Sequence, residues 1–114
     1  MQDWHLESNS GIMLTFHHFD LLYYDDCLDY INVTHGGTTQ QLCNHQYPDP
    51  GPIPDPITTS APSMTIKLVT SNWRARGQTG FLASVGPDVS VTTDNIGECA
   101  YNACNFKCCK IITF

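Results

Sequence analysis

The chain has 114 residues, enough for one small domain, and 14% of them are charged, with a formal net charge of −6. Its five Lys and Arg residues form no stripe, which excludes nucleic acid, a partner whose phosphates would need neutralising. No window approaches the roughly 18 apolar residues of a membrane span, so no membrane insertion is expected.

In chain order, a period-2 pattern starts at Gly11. In Ile12-Met13-Leu14-Thr15-Phe16, the residues Ile12, Leu14 and Phe16 fall on one face, with Thr15 and His17 on the other. A second strand is expected over Asp29 to Thr34, alternating through Ile31 and Val33. Residues 44–63, NHQYPDPGPIPDPITTSAPS, carry six of the seven prolines. Each proline lacks a backbone donor, so this stretch reads as an extended surface loop. Strands are then expected at Met64 to Thr70, through Ile66 and Leu68, and at Gln78 to Val85, which groups Phe81, Ala83 and Val85. Gly86-Pro87-Asp88 turns into a short strand or linker at Val89-Ser90-Val91. Nothing keeps a helical period beyond two turns, and the chain reads as all-β. Composition changes near residue 93, which divides a β-domain, 1–93, from a cysteine-rich tail, 94–114.

Six cysteines in so short a chain fit a secreted disulfide framework better than a cytosol that keeps thiols reduced. Four of them, Cys99, Cys104, Cys108 and Cys109, lie in the tail. Adjacent Cys108 and Cys109, without paired C-x2-C knuckles, suit a tetrahedral zinc site poorly, so disulfides are expected there. Asn32-Val33-Thr34 is an N-glycosylation acceptor and points to the same compartment. Met1 is followed by Gln-Asp-Trp-His and not by a basic then apolar leader. The chain is therefore expected to lack its true N-terminus.

Trp4-His5-Leu6, Ile12-Met13-Leu14-Thr15-Phe16, Phe19-Asp20-Leu21, Cys27-Leu28-Asp29-Tyr30-Ile31-Asn32-Val33, Leu42-Cys43, Met64-Thr65-Ile66 and Gly80-Phe81-Leu82-Ala83-Ser84 resemble, in order and spacing, the successive landmarks of a CUB domain. The resemblance implies an antiparallel β-sandwich of jelly-roll type, secreted, that binds other proteins or glycans. The family normally begins with two strands and a disulfide upstream of the Trp; here Gln2 stands where a cysteine is usual, so the first strands are expected to be missing. The family's second disulfide is implied between Cys27 and Cys43, and closing its loop of about 16 residues contributes about 3 kcal/mol in the chain-entropy account. In the tail, Asn95-Ile96-Gly97-Glu98-Cys99-Ala100-Tyr101-Asn102-Ala103-Cys104, followed by Cys108, is similar to the start of a calcium-binding EGF-like module. Asn95 and Gly97 depart from that pattern, and Cys109 is foreign to it.

Residues 17–37, HHFDLLYYDDCLDYINVTHGG, raise the question of a cation site. Calcium takes six to eight oxygens with converging carboxylates. Many CUB domains supply them from a Glu two residues after Phe-Asp, an Asp after the Cys and an Asp before Gly-Phe. Here those positions hold Leu22, Asp29 and Asn72. With two of three charges gone, a solvated acidic loop is expected; a Ca2+ site completed by Asp25, Asp26 and the Asn72 amide is the alternative. His17 and His18, as neighbours on a strand, are expected on opposite faces and unable to share a metal. The sequence holds no H-E-x-x-H, G-x-S-x-G or P-loop.

Trp73, Arg74 and Arg76, in the loop before Gly80-Phe81, combine an aromatic with two cations, which suits a protein or glycan contact as well as a solvated turn. The expectation is a non-enzymatic extracellular binding module from a larger secreted protein. Two alternatives are an exosite module of a secreted protease and a single-domain glycan binder of the spermadhesin kind, the acidic balance arguing against polyanions.

Overall fold

A computed structural model describes residues 2–21, 27, 29–43, 53–69, 80–93 and 110–113. They form the strands β1 (Gln2–Glu7), β2 (Ile12–Asp20), β3 (Tyr30–His35), β4 (Thr38–Leu42), β5 (Ile57–Thr59), β6 (Ser63–Val69), β7 (Gly80–Val85), β8 (Ser90–Thr93) and β9 (Lys110–Thr113). Two sheets result, in the orders β4-β3-β6-β1-β8 and β5-β2-β7-β9. All pairings are antiparallel except β7 with β9, which run parallel. This is the all-β sandwich that the alternating pattern predicts.

Alternation decides what lies between the layers. From the five-stranded sheet, Trp4, Leu6, Ile31, Val33, Met64, Ile66 and Leu68 point inward; from the other, Ile12, Leu14, Phe16, Phe19, Phe81 and Val85 meet them. The Trp4 and Phe81 rings cross between the sheets edge to face, their centroids 5.2 Å apart. Phe81 continues to Phe16 at 5.9 Å, and Phe16 to Phe19 at 5.6 Å. Such edge-to-face pairs add about 0.5–1.5 kcal/mol each beyond the area they bury.

Several elements depart from the sequence reading. The proline stretch expected as loop contains β5, three residues that begin directly after Pro56 and, among the described residues, pair only with β2. Proline is compatible with this because β5 lies at a sheet edge. β4, Thr-Thr-Gln-Gln-Leu, has no apolar alternation to announce it; its register comes from the β3–β4 hairpin. Gly36 and Gly37, with φ of 55° and 83°, supply the two left-handed residues of a tight connection. Gly11 is needed for another reason: a Cβ there would lie 3.0 Å from the Thr59 carbonyl oxygen, at the start of the β2–β5 pairing. Finally, Lys110–Thr113 return to the sandwich beside β7, with Ile111 packed against the core.

The histidines need correction as well. Phe16 opposes Ala83 while His18 opposes the next residue, Leu82, so His17 is an extra residue in β2, a β-bulge. Phe16 and Phe19 both point inward, and both histidines are exposed. They are not on opposite faces, because the bulge interrupts the period-2 rule on which that expectation rested.

Phe81→Ala should lower the unfolding free energy by about 3–5 kcal/mol, since it deletes the ring that joins Trp4 to Phe16. Met13→Ala, at a side chain 55% exposed, should stay within about 0.5 kcal/mol. Chemical denaturation of the two variants beside the parent chain checks both.

Candidate functional site

β2 ends and β3 begins at one end of the sandwich, so the chain there must cross from one sheet to the other. Cys27, in this crossing, is joined to Cys43 just beyond β4, with Cα atoms 5.6 Å apart. Ile31 and Leu42 are cross-strand partners next to this link, so the bond ties the entry of β3 to the exit of β4. Cys27 has φ of 57°, a left-handed conformation that a residue bearing a Cβ adopts only where its surroundings hold it. The bond to Cys43 is one such restraint.

Two carboxyls are buried at this end, Asp20 at the close of β2 and Asp29, 1% exposed, just before β3. Both are already engaged within the protein. Asp29 is the one member of the expected calcium set among the described residues. No group of three or more His, Cys, Asp or Glu side chains able to hold a metal ion occurs among them. Leu22, Asp25, Asp26 and Asn72 lie outside the described residues, as do Trp73, Arg74 and Arg76 and the tail cysteines Cys99, Cys104, Cys108 and Cys109.

Ser84 and His17 form a Ser–His pair, with His17 Nε2 2.7 Å from Ser84 Oγ. Proximity of this kind is where a nucleophile would be sought, but Ser84 is 2% exposed, so its hydroxyl offers no approach to a substrate. The pair holds the bulged histidine to β7. Sequence reasoning had a signal for this arrangement: Phe16 and Phe19 are three apart, an odd spacing that only an inserted residue can place on one face of a strand.

Asn32 lies mid-strand in β3, between Gln41 of β4 and Lys67 of β6. Ile31 and Val33 point into the core, so Asn32 and Thr34 belong to the outer face of the five-stranded sheet. A trough of about 640 Å³ lies between the edge strands β4 and β5. Leu42, Ile53, Pro54 and Ile57 give it apolar walls, and His35 and Asp55 are its ionisable groups. Ile53 is 50% exposed, one of two large apolar side chains left open to solvent among the described residues.

The family model of the CUB domain matches residues 3–84. The chain belongs to the CUB family. The match begins within β1 and runs into β7, so it covers the aromatic contact between the sheets, the Cys27–Cys43 link and the β3–β4 hairpin. It does not extend to β8, β9 or the EGF-like resemblance at residues 95–108. No curated protein matches the chain. CUB domains are generally extracellular protein-interaction modules and typically non-enzymatic. No helix among the described residues is long and apolar enough to cross a membrane.

For this CUB domain, millimolar calcium is expected to leave the melting temperature within about 1 °C, because stabilisation follows RT ln(1 + [L]/Kd) and vanishes when Kd far exceeds the ligand. Leu22→Glu combined with Asn72→Asp should create calcium-dependent stabilisation that Asp29→Ala removes. Micromolar calorimetric binding by the unaltered chain, abolished by Asp29→Ala, would instead establish a native site completed by Asp25, Asp26 or Asn72.

Proposed function

We propose that this CUB domain is an extracellular, non-enzymatic module that binds a partner protein through its sheet edges and loops, as one unit of a larger secreted protein. The observation that carries this reading is the family match over residues 3–84. The fold is consistent with it. The interior is filled by apolar side chains, and the Ser84 and Asp29 side chains that could do chemistry are buried and engaged. Among the described residues, what is left for recognition is the edge of β4 with its trough; the contact expected from the sequence at Trp73, Arg74 and Arg76 lies outside them.

N-glycosylation at Asn32 fits the same reading. A glycan there rises from the outer face of the five-stranded sheet, on the strand next to the edge strand β4. Its bulk shields the outer face around β3 and leaves the inner side of β4, with the trough, to protein contact. Residues 94–114 are read as leading into a following EGF-like module, with Lys110–Thr113 seated on the CUB sandwich.

The test is surface plasmon resonance of the immobilised, oxidised chain against a panel of purified extracellular domains, run beside a glycan array. Saturable binding to a protein, changed less than about twofold by enzymatic removal of the N-glycan, is the expected result. Binding confined to free glycans would replace this reading with that of a spermadhesin-like glycan binder. In the secreted protein, Thr34→Ala should abolish the mass released by N-glycosidase.

A further inference from the structure

Among the described residues the five-stranded sheet has two edges, β4 and β8, and an edge strand offers unpaired backbone donors and acceptors to any extended chain. Proteins usually guard such edges with proline, lysine, a bulge or shortness. β5, the facing edge of the other sheet, is guarded in two of these ways, being three residues long and preceded by Pro56. β4 is five residues long, Thr-Thr-Gln-Gln-Leu, with no proline, no charge and no register shift against β3.

Hairpin geometry tells which of its backbone groups are open. His35 and Thr38 close a two-residue connection, and the closing pair of such a hairpin exchanges both ladder bonds. Hydrogen-bonded pairs then alternate, at His35/Thr38, Val33/Gln40 and Ile31/Leu42. Thr34/Thr39 is a non-hydrogen-bonded pair, where side chains approach most closely, and their hydroxyl oxygens are 3.0 Å apart. The backbone N–H and C=O of Thr39 and Gln41 therefore point away from β3, to the open edge. Gln40 and Leu42 are on the inner side of the strand, toward the trough.

We propose that the open edge of β4 and the adjoining trough take up an extended, basic segment of a partner protein as a sixth strand. Its main chain pairs with Thr39 and Gln41. Because side chains of a strand alternate, two apolar residues of the segment, two positions apart, enter the trough beside Gln40 and Leu42 and rest on Ile53 and Ile57. The basic character follows from charge: among the described residues the trough carries the Asp55 carboxylate and no Lys or Arg, on a chain of net charge −6. The same charge opposes a second copy as occupant. This inference names the partner's chemistry for the binding function proposed above and rests on it.

The probe is a synthetic eight-residue peptide with valine at alternate positions and lysine at both ends, titrated into the oxidised 114-residue chain and followed by amide hydrogen exchange in NMR spectra. The Thr39 and Gln41 amides should exchange at least about tenfold more slowly at saturation. Gln41→Pro removes an edge donor without removing a β3–β4 bond, and should weaken the peptide at least about tenfold with the melting temperature within a few degrees. A peptide N-methylated on the residues facing β4 should lose binding to the same extent, which tests the edge without altering the protein. No binding up to millimolar peptide, or equal binding of the N-methylated form, overturns the proposal. Protection confined to other residues overturns it too, while leaving the binding-module reading intact. Protection of Thr39 and Gln41 that grows with protein concentration alone would assign the edge to a second copy and overturn the basic partner.

Discussion

Trp4 and Phe81 touch across the two layers, and most of the sandwich depends on that contact. Trp4 lies on β1, flanked by β6 and β8, and Phe81 on β7, flanked by β2 and β9. A large ring from each sheet thus meets away from the sheet edges, and the spacing of the layers is set by rings that pack edge to face. Phe81 also meets Phe16, so β2 and β7 must align for the aromatic cluster to close. A sheet face that slips by one residue turns all its apolar side chains outward. The aromatic contact therefore constrains register as well as distance.

β2 meets this constraint with a local irregularity. Phe16 and Phe19 both belong to the core, yet they stand three positions apart along a strand whose side chains alternate. The extra residue, His17, restores the phase, and the hydrogen bond between its ring and Ser84 ties the irregular segment to β7. The bulge leaves two histidines together on the exposed face. What looks in the sequence like a catalytic or metal-binding doublet is, in the fold, a consequence of fitting two phenylalanines into one interior.

The β3–β4 hairpin shows how the perimeter is held. At one end two left-handed glycines turn the chain, and at the other the Cys27–Cys43 link joins its flanks. Between these restraints β4 has mostly exposed, uncharged side chains, and only Leu42 is buried. Few of its side chains contribute to the core, so its position depends on the turn, the disulfide and the β3 ladder. An edge held firmly but paired on one side is well suited to receive another strand, and the proline-bounded β5 across the trough is not.

Much of this was legible in the residues. Ile12, Leu14 and Phe16, then Ile31 and Val33, Ile66 and Leu68, and Phe81, Ala83 and Val85 announce their strands because burial on one face of a pleat forces a two-residue period. The family resemblance located the Cys27–Cys43 pairing and the sandwich. β4 and β5 were not legible, since an edge strand need not alternate; β9 was hidden within a segment whose cysteines suggested a separate module. The calcium set was legible only as a list of residues, because ligation requires side chains to converge. The sequence by itself determined which residues must be buried and hence that two sheets face each other, since apolar periodicity is a local property of the chain. The tertiary structure alone decided that β2 carries a bulge, that Lys110–Thr113 join β7, and that an open strand edge lies beside an apolar trough. Each of these depends on which distant segment becomes a neighbour, and no local pattern encodes that choice.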